Sequence, residues 1–353
     1  MTARPTTTDP ADPDGDEAAG DEAAGRHLTT LEGWRQFTTD PPPPPTLLPR
    51  QRHEGLGDLE RTLYDEARLD HHARLRVVAT STVRHAVTCG RRLVLMNRHA
   101  VSARRGLILS GPAGTGKTIA ITQLGRAHEL LDQARHPSRA DRIPVVYITV
   151  PPAATPRMIA AEFARFLGLP VTRSANITDI TEAVVGVCTD TRTGLVLVDE
   201  LHNISLTSRS GAEVADTLKY FSERIPATFV YAGIDIERSN LLSGTRGAQI
   251  AGRFTLLPTR PFPYGEEWTG LVATLEQHLL LHDHRPGTLV ALDRHLHHRT
   301  GGMIGALSHQ IRGAAIDAIL TGTEKITKDG LDAIPLDHAA QTSARATPSG
   351  RRR

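Results

Sequence analysis

Residues 111–118 read Gly-Pro-Ala-Gly-Thr-Gly-Lys-Thr, which is the pattern G-x-x-x-x-G-K-[ST]. The apolar run Leu107 to Leu109 precedes it, and the stretch from Ile119 to Ala127 has a helical composition. Strand, loop and helix in this order are the context in which the pattern binds nucleotide phosphates. Glycines let successive backbone amides turn inward around a phosphate, and the helix contributes its positive N-terminal end. The pattern therefore predicts a nucleoside triphosphate site on an α/β fold with a parallel sheet.

The loop residues have distinct expected roles. Lys117 is expected to reach the β- and γ-phosphates and to act in catalysis, and the Thr118 hydroxyl is expected to bind Mg²⁺. A glycine-rich loop without a ligand is the alternative. The predicted nucleotide-binding residues of the loop are Gly111, Pro112, Ala113, Gly114, Thr115, Gly116, Lys117 and Thr118.

A second acidic element lies about eighty residues further along. Four apolar residues, 195–198, are followed by Asp199 and Glu200. We expect this strand to lie beside the phosphate-loop strand, which places Asp199 at the Mg²⁺ and within the nucleotide site. Glu200 is then positioned to polarise an attacking water, as a catalytic residue. The alternative is a strand that ends at two solvated acids. Together the two elements predict ATP and Mg²⁺ as cofactors.

Strand-like and helix-like segments alternate in the middle of the chain. Apolar runs at 145–150, 195–198 and 228–232 predict buried parallel strands, and Thr155-Pro156 predicts the start of a helix. After Pro263 only helical patterns follow, which predicts a small helical domain. The predicted divisions are a disordered acidic, Pro-rich tail (1–52), an N-terminal helical segment (53–105), a nucleotide-binding α/β domain (106–262), a helical lid (263–336) and a basic disordered tail (337–353).

Two features of the N-terminal part carry specific expectations. Leu31, Trp34 and Phe37 recur every three residues in the predicted disordered tail, either as stray apolar residues or as a short helix that docks on a partner. In the helical segment, Asp70 is a candidate cap for a second helix. The same segment is basic, with arginines at 84, 91, 92, 98, 104 and 105.

The composition and charge of the chain limit its expected partners and its expected location. The net charge is +2, but residues 1–50 carry −5 and the remainder +7, which is compatible with a nucleic-acid partner and equally with a solvated surface. Two distant cysteines argue against a disulfide scaffold, and no apolar run is long enough to span a membrane. No apolar signal core is recognisable near the N-terminus, so a cytoplasmic location without membrane association is expected.

The combined motifs resemble the AAA+ ATPases of the TniB type, the transposition regulators related to TnsC. The resemblance covers roughly residues 55–335 and implies an α/β AAA+ P-loop NTPase with a parallel sheet core and a C-terminal helical lid. Besides the phosphate loop, the matching segments are Val150-Pro151, Thr155-Pro156, Leu167 to Pro170, Val198 to Asn203, Ala251 to Phe254 and the glycine-containing turn Thr300 to Ser308.

The resemblance also implies partners and a further catalytic residue. Members assemble on DNA with ATP and communicate with a transposase, and hydrolysis resets or disassembles the assembly. For this chain we therefore expect a homo-oligomer with ATP, duplex DNA bound without sequence preference, and a transposase of the integrase type as partner. Arg253 matches the position of a trans-acting arginine finger. Arg246 and Arg260 are alternatives for that role, and a structural ion pair or a solvated side chain is the alternative role for Arg253.

Two departures from the family pattern predict slow or partner-dependent hydrolysis. The segment from Tyr231 to Asp235 offers no clear polar sensor, with Asp235 as the only candidate. The turn Gly301-Gly302-Met303 lacks the arginine that many lids direct at the γ-phosphate, and Arg312 lies further along the helix.

A few other residues are candidates for roles in positioning Glu200, in DNA contact or in metal binding. His202 and Asn203 follow the two acids directly. They either orient Glu200, transmit the DNA-bound state to Glu200, or cap the end of the strand. Arg157 and Arg209 are candidate DNA-phosphate contacts or solvated side chains. A metal site is not expected among the histidines at 282, 284, 295, 297 and 298, since i and i+2 do not share a helix face.

Three functions remain open from the sequence. The leading hypothesis is an ATP-dependent, DNA-binding assembly factor that regulates a transposase and its target selection. A signalling or defence switch ATPase that acts on a protein partner without DNA is the second. A replication helicase loader is the third.

Overall fold

A parallel five-stranded sheet forms the centre of the molecule. In the computed structural model, residues 27–39, 42–138, 141–204, 209–237 and 252–336 are described. The strands are β1 (Gly106–Ser110), β2 (Val145–Thr149), β3 (Leu195–Asp199), β4 (Thr228–Gly233) and β5 (Phe254–Pro258). They run in the order β2-β3-β4-β1-β5, and every pairing is parallel. Strands β1 to β4 are buried along their length apart from Thr149, as expected for a sheet covered on both faces.

The sheet order corrects one expectation. The strand that ends at Asp199 was predicted to lie beside the phosphate-loop strand, but β4 lies between β3 and β1. Its apolar segment is long enough to be fully buried, and a central position provides that burial on both faces. Asp199 nevertheless lies at the carboxyl end of β3, on the sheet edge from which the loop leaves β1.

The helices that precede and cover the sheet are α1 (Leu31–Thr38), α2 (Arg50–Glu54), α3 (Asp58–Ala73), α4 (Ser81–Asn97), α5 (Lys117–Arg135), α6 (Pro156–Phe166), α7 (Ile177–Asp190) and α8 (Arg209–Arg224). Helices α4 and α5 pack on each other and on the sheet, and α6 packs on α7, α8 and β2. Thr155 caps α6 through its hydroxyl, which accepts from the Met158 amide, as the Thr-Pro pair predicts.

Helix α1 shows that the prediction of disorder for residues 1–52 is wrong for this part of the tail. The Trp34 side chain is fully buried in the main core, stacked on Tyr147 with a ring separation of 5.9 Å. Its Nε1 donates to Glu129 Oε2 at 3.3 Å. The aromatic spacing thus marks a helix that docks on the chain's own core rather than on a partner. The acidic residues of 1–26 lie outside the described part of the chain.

The helical domain that follows β5 consists of α9 (Glu266–Glu276), α10 (Thr288–Ala291), α11 (Asp293–Thr300), α12 (Ile304–Leu320) and α13 (Lys328–Ala333). It has an apolar core of its own, centred on the fully buried Trp268. The sequence patterns after Pro263 predict helices here, and the segment that follows β5 is helical.

Helix α3 packs against this helical domain, whereas α4 packs against the sheet domain. Arg68, which is fully buried, pairs with Glu324 and donates to the Leu280 carbonyl at 3.0 Å. Asp70 lies inside α3 and caps nothing. Helix α4 begins instead at Thr80, whose hydroxyl accepts from the Val83 amide. The predicted segment 53–105 therefore divides between the helical domain and the sheet domain.

No helix in the described ranges combines the length and apolar character that a membrane span requires.

Candidate nucleotide site

The loop between β1 and α5 has the backbone of a phosphate cradle. Gly114 and Gly116 have φ values of +75° and +84°, in the left-handed region that glycine adopts without steric cost. Gly111 has φ of +154°, and a Cβ there would lie 2.1 Å from the Thr259 carbonyl oxygen. A side chain is therefore excluded at Gly111, where the loop approaches β5, and is strained at Gly114 and Gly116, where the loop turns. This is the physical basis of the glycine spacing that the sequence displays.

Lys117 is directed into this loop. Its side chain is buried, and Nζ donates to the carbonyls of Gly111 at 2.9 Å and Pro112 at 2.6 Å. Burial lowers the pKa of Lys117, while the nearby carboxylates of Asp199, Glu200 and Asp235 act in the opposite direction. The ammonium thus lies in a place where a negative charge would stabilise it.

Thr118 and Asp199 meet at the loop, as the sequence predicted. The Thr118 hydroxyl donates to Asp199 Oδ2 at 2.7 Å, and the Tyr147 hydroxyl donates to the same oxygen at 3.2 Å. Burial and the adjacent Asp199 carboxylate raise the pKa of Tyr147, so its hydroxyl remains a donor. Tyr147 lies on β2, which β3 and β4 separate from the phosphate-loop strand β1, and it had no assigned role in the sequence interpretation.

Glu200 projects from the end of β3 with an unusual backbone. Its φ of +57° is left-handed, and its side chain is nearly half exposed, so the carboxylate is free to face a water-accessible pocket. The Glu200 amide donates to Asp199 Oδ1 at 2.8 Å, which stabilises this turn. The strain of such a backbone is typical of functional sites.

His202 connects Glu200 to β4. Its Nδ1 accepts from the Ile234 amide at 3.3 Å, and its Nε2 lies 3.2 Å from Glu200 Oε2. Because a backbone amide can only donate, the neutral ring carries its proton on Nε2, the nitrogen that faces the carboxylate. Asn203 points elsewhere and donates to the Val150 carbonyl at 2.7 Å. Of the two residues singled out in sequence, His202 lies against the Glu200 carboxylate, whereas Asn203 donates its main-chain amide to the Glu200 carbonyl at 3.0 Å.

A cavity of about 310 Å³ opens beside the loop between the two domains. One wall is the extended segment between α3 and α4, which contributes Leu75, Val77 and Val78. The lid closes the opposite side through Ile304 and Gly305, and the Gly305 amide donates to the Gly114 carbonyl at 3.2 Å. An apolar cleft next to a phosphate loop fits an aromatic base.

Sequence reasoning missed this base-side wall. Leu75, Val78 and Val83 recur at helical spacing, and the stretch 53–105 was predicted to be helical throughout. This prediction is wrong for residues 74–80, which are extended between α3 and α4. Arg76 also lines the cavity, where it contacts His71 Nδ1 at 2.8 Å. It is a cation at the cavity that no motif identified.

The residues present fit ATP with Mg²⁺. A backbone cradle that excludes Cβ atoms, a buried lysine beside it and a Thr–Asp oxygen pair are the donor set that a nucleotide triphosphate and its divalent cation use. Thr118 and Asp199 would hold the cation, and the loop from Gly111 to Thr118 would hold the phosphates.

Arg253 lies at the other end of the sheet. It directly precedes β5, and its carbonyl accepts from the amide of Gly106, the first residue of β1, whereas the phosphate loop leaves β1 at Ser110. Its guanidinium is half-buried and pairs with Glu223 at 3.2 Å. Arg253 therefore does not reach the nucleotide site of its own subunit. Arg260 is exposed, while Arg246 lies outside the described residues.

Other candidates have structural partners. Arg312 donates to the carbonyls of His72 and Ala73 on α3 and so does not face the cavity, as its distance from the lid turn suggested. Arg157 donates to the carbonyls of Thr172 and Ala175, and therefore organises a loop of its own chain. The side chain of Arg209 lies outside the described residues.

The histidine-rich lid segments use their rings for packing and pairing. His284 lies 3.0 Å from Glu276, His295 lies 2.7 Å from Asp332, and His297 lies 2.9 Å from the Phe262 carbonyl. No group of three potential metal ligands occurs in the part of the chain that the structure describes.

The fold and the site define a class. A parallel sheet in the order β2-β3-β4-β1-β5, a phosphate loop after β1, an Asp-Glu pair after β3 and a helical lid make this a P-loop NTPase of the AAA+ fold. The model of the family "Bacterial TniB protein" matches residues 68–264, more than half of the chain. The chain belongs to the TniB family, which confirms the resemblance found in its motifs.

Solved structures with a similar fold include two ORC proteins of Aeropyrum pernix. The Aeropyrum pernix ORC1 protein in complex with DNA is 16% identical with a TM-score of 0.55, over 77% of this chain and 65% of that one. The Aeropyrum pernix ORC2 protein in its ADP form is 19% identical with a TM-score of 0.57, over 78% and 72%. The chain thus spans about two thirds of these proteins. No curated protein matches it.

Proposed function

We propose that this protein binds and hydrolyses ATP with Mg²⁺ and uses that cycle to assemble on duplex DNA as a regulator of a transposase and its target selection. The observation that carries the proposal is the convergence of Lys117, the Thr118–Asp199 pair and Glu200 on one cavity in a chain of the TniB family. Membership of that family supports the transposition role and the integrase-type partner.

Each residue has a defined part in the proposed hydrolysis. The loop amides and Lys117 would hold and neutralise the phosphates, and Thr118 and Asp199 would hold the divalent cation, which would supply charge neutralisation at the transferring phosphoryl group. Glu200 accepts a proton from the attacking water, and His202 holds the Glu200 carboxylate in place.

Arg253 fits a role across a subunit boundary. Because it lies at the opposite end of β1 from its own phosphate loop, it can act only on the nucleotide of a neighbour. Such an arginine stabilises charge on the transferring phosphoryl group. The proposal therefore includes a homo-oligomer with ATP at its subunit boundaries.

DNA as the ligand has additional support. The segment from His71 to His128 contains no Asp or Glu and includes nine arginines and Lys117, so the body of the protein is locally basic. The fold also resembles that of a protein solved in complex with DNA. A cytoplasmic location is part of the same proposal.

Two substitutions test the proposed binding and hydrolysis of ATP, because one should remove ATP binding and the other should remove turnover alone. Lys117→Ala should abolish tight ATP binding. Glu200→Gln should keep ATP binding near normal while lowering turnover by about 100-fold or more, since an amide cannot take the proton. The measurement is binding of a fluorescent ATP analogue together with phosphate release. Normal turnover in Glu200→Gln, or normal affinity in Lys117→Ala, would contradict the assigned roles.

A further inference from the structure

Helix α4 displays a continuous basic face to solvent. The helix has seventeen residues, none of them acidic, and buries Ala86, Gly90, Leu93 and Asn97. Arg84, Arg91 and the C-capping Arg98 follow one another at seven-residue intervals on the exposed side, with Arg92 beside them. Seven residues turn an α-helix by nearly two full turns, so the three arginines form a single row with a spacing of about 10.5 Å.

The orientation of this face is firmly set by the packing of α4. Gly90 lies so close to α5 that a Cβ would be 2.2 Å from a methyl group of Leu124. At the end of the helix, Asn97 donates to the Arg105 carbonyl at 2.7 Å and to the Thr228 hydroxyl at 2.9 Å. The arginine row therefore cannot rotate toward the core, and it faces outward in the folded protein.

These arginines differ from those that form ion pairs within the molecule. Arg142, Arg224 and Arg165 each pair with a carboxylate. Among the described residues, no carboxylate lies within ion-pair distance of the four α4 arginines. Each of them is therefore available to an external anion. They lie in the segment 71–128, which contains no acidic residue, so the charged side chains nearest to them in the sequence are also positive.

We infer that the exposed face of α4 is the surface that binds the phosphate backbone of duplex DNA. This inference rests on the proposed function and assigns its DNA contacts to residues. The phosphates of one strand follow one another at about 3.4 Å along the helix axis, so the arginine row spans several of them in succession. A linear array of unpaired guanidinium groups without hydrogen-bonding selectivity for bases fits DNA binding without sequence preference.

The test compares three variants of the full chain in binding to labelled duplex DNA with a non-hydrolysable ATP analogue at several salt concentrations. The first is Arg84→Glu/Arg91→Glu/Arg98→Glu. The second replaces the same residues with lysine. The third is a control with an identical change in charge at the exposed arginines 135, 173 and 285. Circular dichroism and binding of the ATP analogue establish that each variant is folded.

The glutamate variant should bind DNA at least tenfold more weakly than the control. The slope of log affinity against log salt should flatten by about 0.9 for each phosphate that the protein no longer neutralises. The lysine variant should stay near wild type, because a phosphate contact needs the charge rather than the planar fork. If the glutamate variant binds like the control while wild type binds DNA, the assignment to α4 is wrong although the proposed function stands.

Two further outcomes are distinguishable. Failure of the wild-type protein to bind DNA under every condition would remove the proposed function together with this surface. Sedimentation with the ATP analogue but without DNA tests the remaining possibility, that α4 forms a contact between subunits. If the glutamate variant alone fails to assemble there, α4 is a contact between subunits and not a DNA surface.

Discussion

At the scale of single residues, the proposed hydrolysis depends on how Glu200 is held. Its carboxylate lies 3.2 Å from His202 Nε2, and the His202 ring is itself oriented by the Ile234 amide at the end of β4. The strand end that carries Ile234 and Asp235 offers no clear polar sensor in sequence. His202 provides a physical connection between that strand end and the catalytic acid, and is therefore a positioning residue.

Substitution of His202 tests this connection. His202→Ala should lower the kcat for ATP several-fold with little change in KM, because Glu200 loses its orientation while the phosphate loop is intact. His202→Gln should recover most of the turnover, since its amide nitrogen can take the place of Nε2 beside the Glu200 carboxylate. His202→Asn is the matched control, because it can still accept from Ile234 but is too short to reach Glu200. Equal turnover in the Gln and Asn variants would show that the contact with Glu200 has no role.

Arg253 is tested by mixing subunits. Arg253→Ala should bind ATP normally and lose turnover, by up to about 10³-fold if it acts as a finger. Mixing it with Lys117→Ala protein should restore part of the activity, because some boundaries then combine an intact arginine with an intact loop. Glu223→Ala is the control, since it removes the observed ion pair but not the guanidinium. No recovery at any ratio, with the same loss in Glu223→Ala, would identify a structural ion pair.

At the scale of elements, the sequence predicted best the features that depend on a short run of neighbouring residues. The phosphate loop, β2, β3, β4, the capping of α6 and the helical nature of the lid all follow from short patterns with a direct physical cause. Helix α1 could not be predicted as ordered, because the burial of Trp34 depends on Tyr147 and Glu129, which are more than ninety residues away. The same holds for the insertion of β4 beside β1, for β5, whose residues are mostly exposed, and for the segment 74–80.

The docking of α1 has a measurable energetic consequence. Gly125 on α5 provides the space for the indole, since a Cβ there would lie 2.6 Å from Trp34. Trp34→Ala should lower the free energy of unfolding by about 3–5 kcal/mol, whereas Trp34→Phe should cost less. Urea unfolding monitored by circular dichroism measures both. A loss below about 1 kcal/mol for Trp34→Ala would show that α1 does not contribute to the core in solution.

At the scale of the whole molecule, the nucleotide cavity lies between two bodies that share one N-terminal segment. Helix α3 belongs to the lid through Arg68, His71 and His72, and α4 belongs to the sheet domain. The strand-like segment between them forms the base-side wall of the cavity. Movement of the lid relative to the sheet would therefore move this wall, so that nucleotide binding and lid position are mechanically connected.

Buried histidines in the α3–lid contact predict the response to acid. Burial is the main cause that lowers the pKa of His72 to about 3, and its Nε2 accepts from the Leu280 amide. Between that value and the unfolded pKa of about 6.5, the unfolded chain binds a proton that the folded chain does not. Stability should therefore be insensitive to this group above pH 6.5 and fall below it, by up to about 1.4 kcal/mol per pH unit.

Urea unfolding from pH 7.5 to 5 measures this dependence. His72→Gln keeps an acceptor for the Leu280 amide without a titrating ring, so its stability should fall less steeply below pH 6.5 than that of wild type. Burial also lowers the pKa of His71 and His128, and some acid sensitivity should therefore remain in the variant. Parallel curves for wild type and His72→Gln would show that His72 is not buried in its neutral form.

The central claim is that ATP bound at Lys117, Thr118 and Asp199 drives assembly of this TniB-family protein on DNA. The most direct measurement is sedimentation of labelled duplex DNA with the wild-type protein and with Lys117→Ala, each with and without a non-hydrolysable ATP analogue. We expect cooperative, salt-sensitive binding only for wild type with the analogue, since linked subunits multiply contacts that are weak one at a time. Absence of DNA binding under all conditions, or binding by Lys117→Ala equal to that of wild type, would contradict this claim.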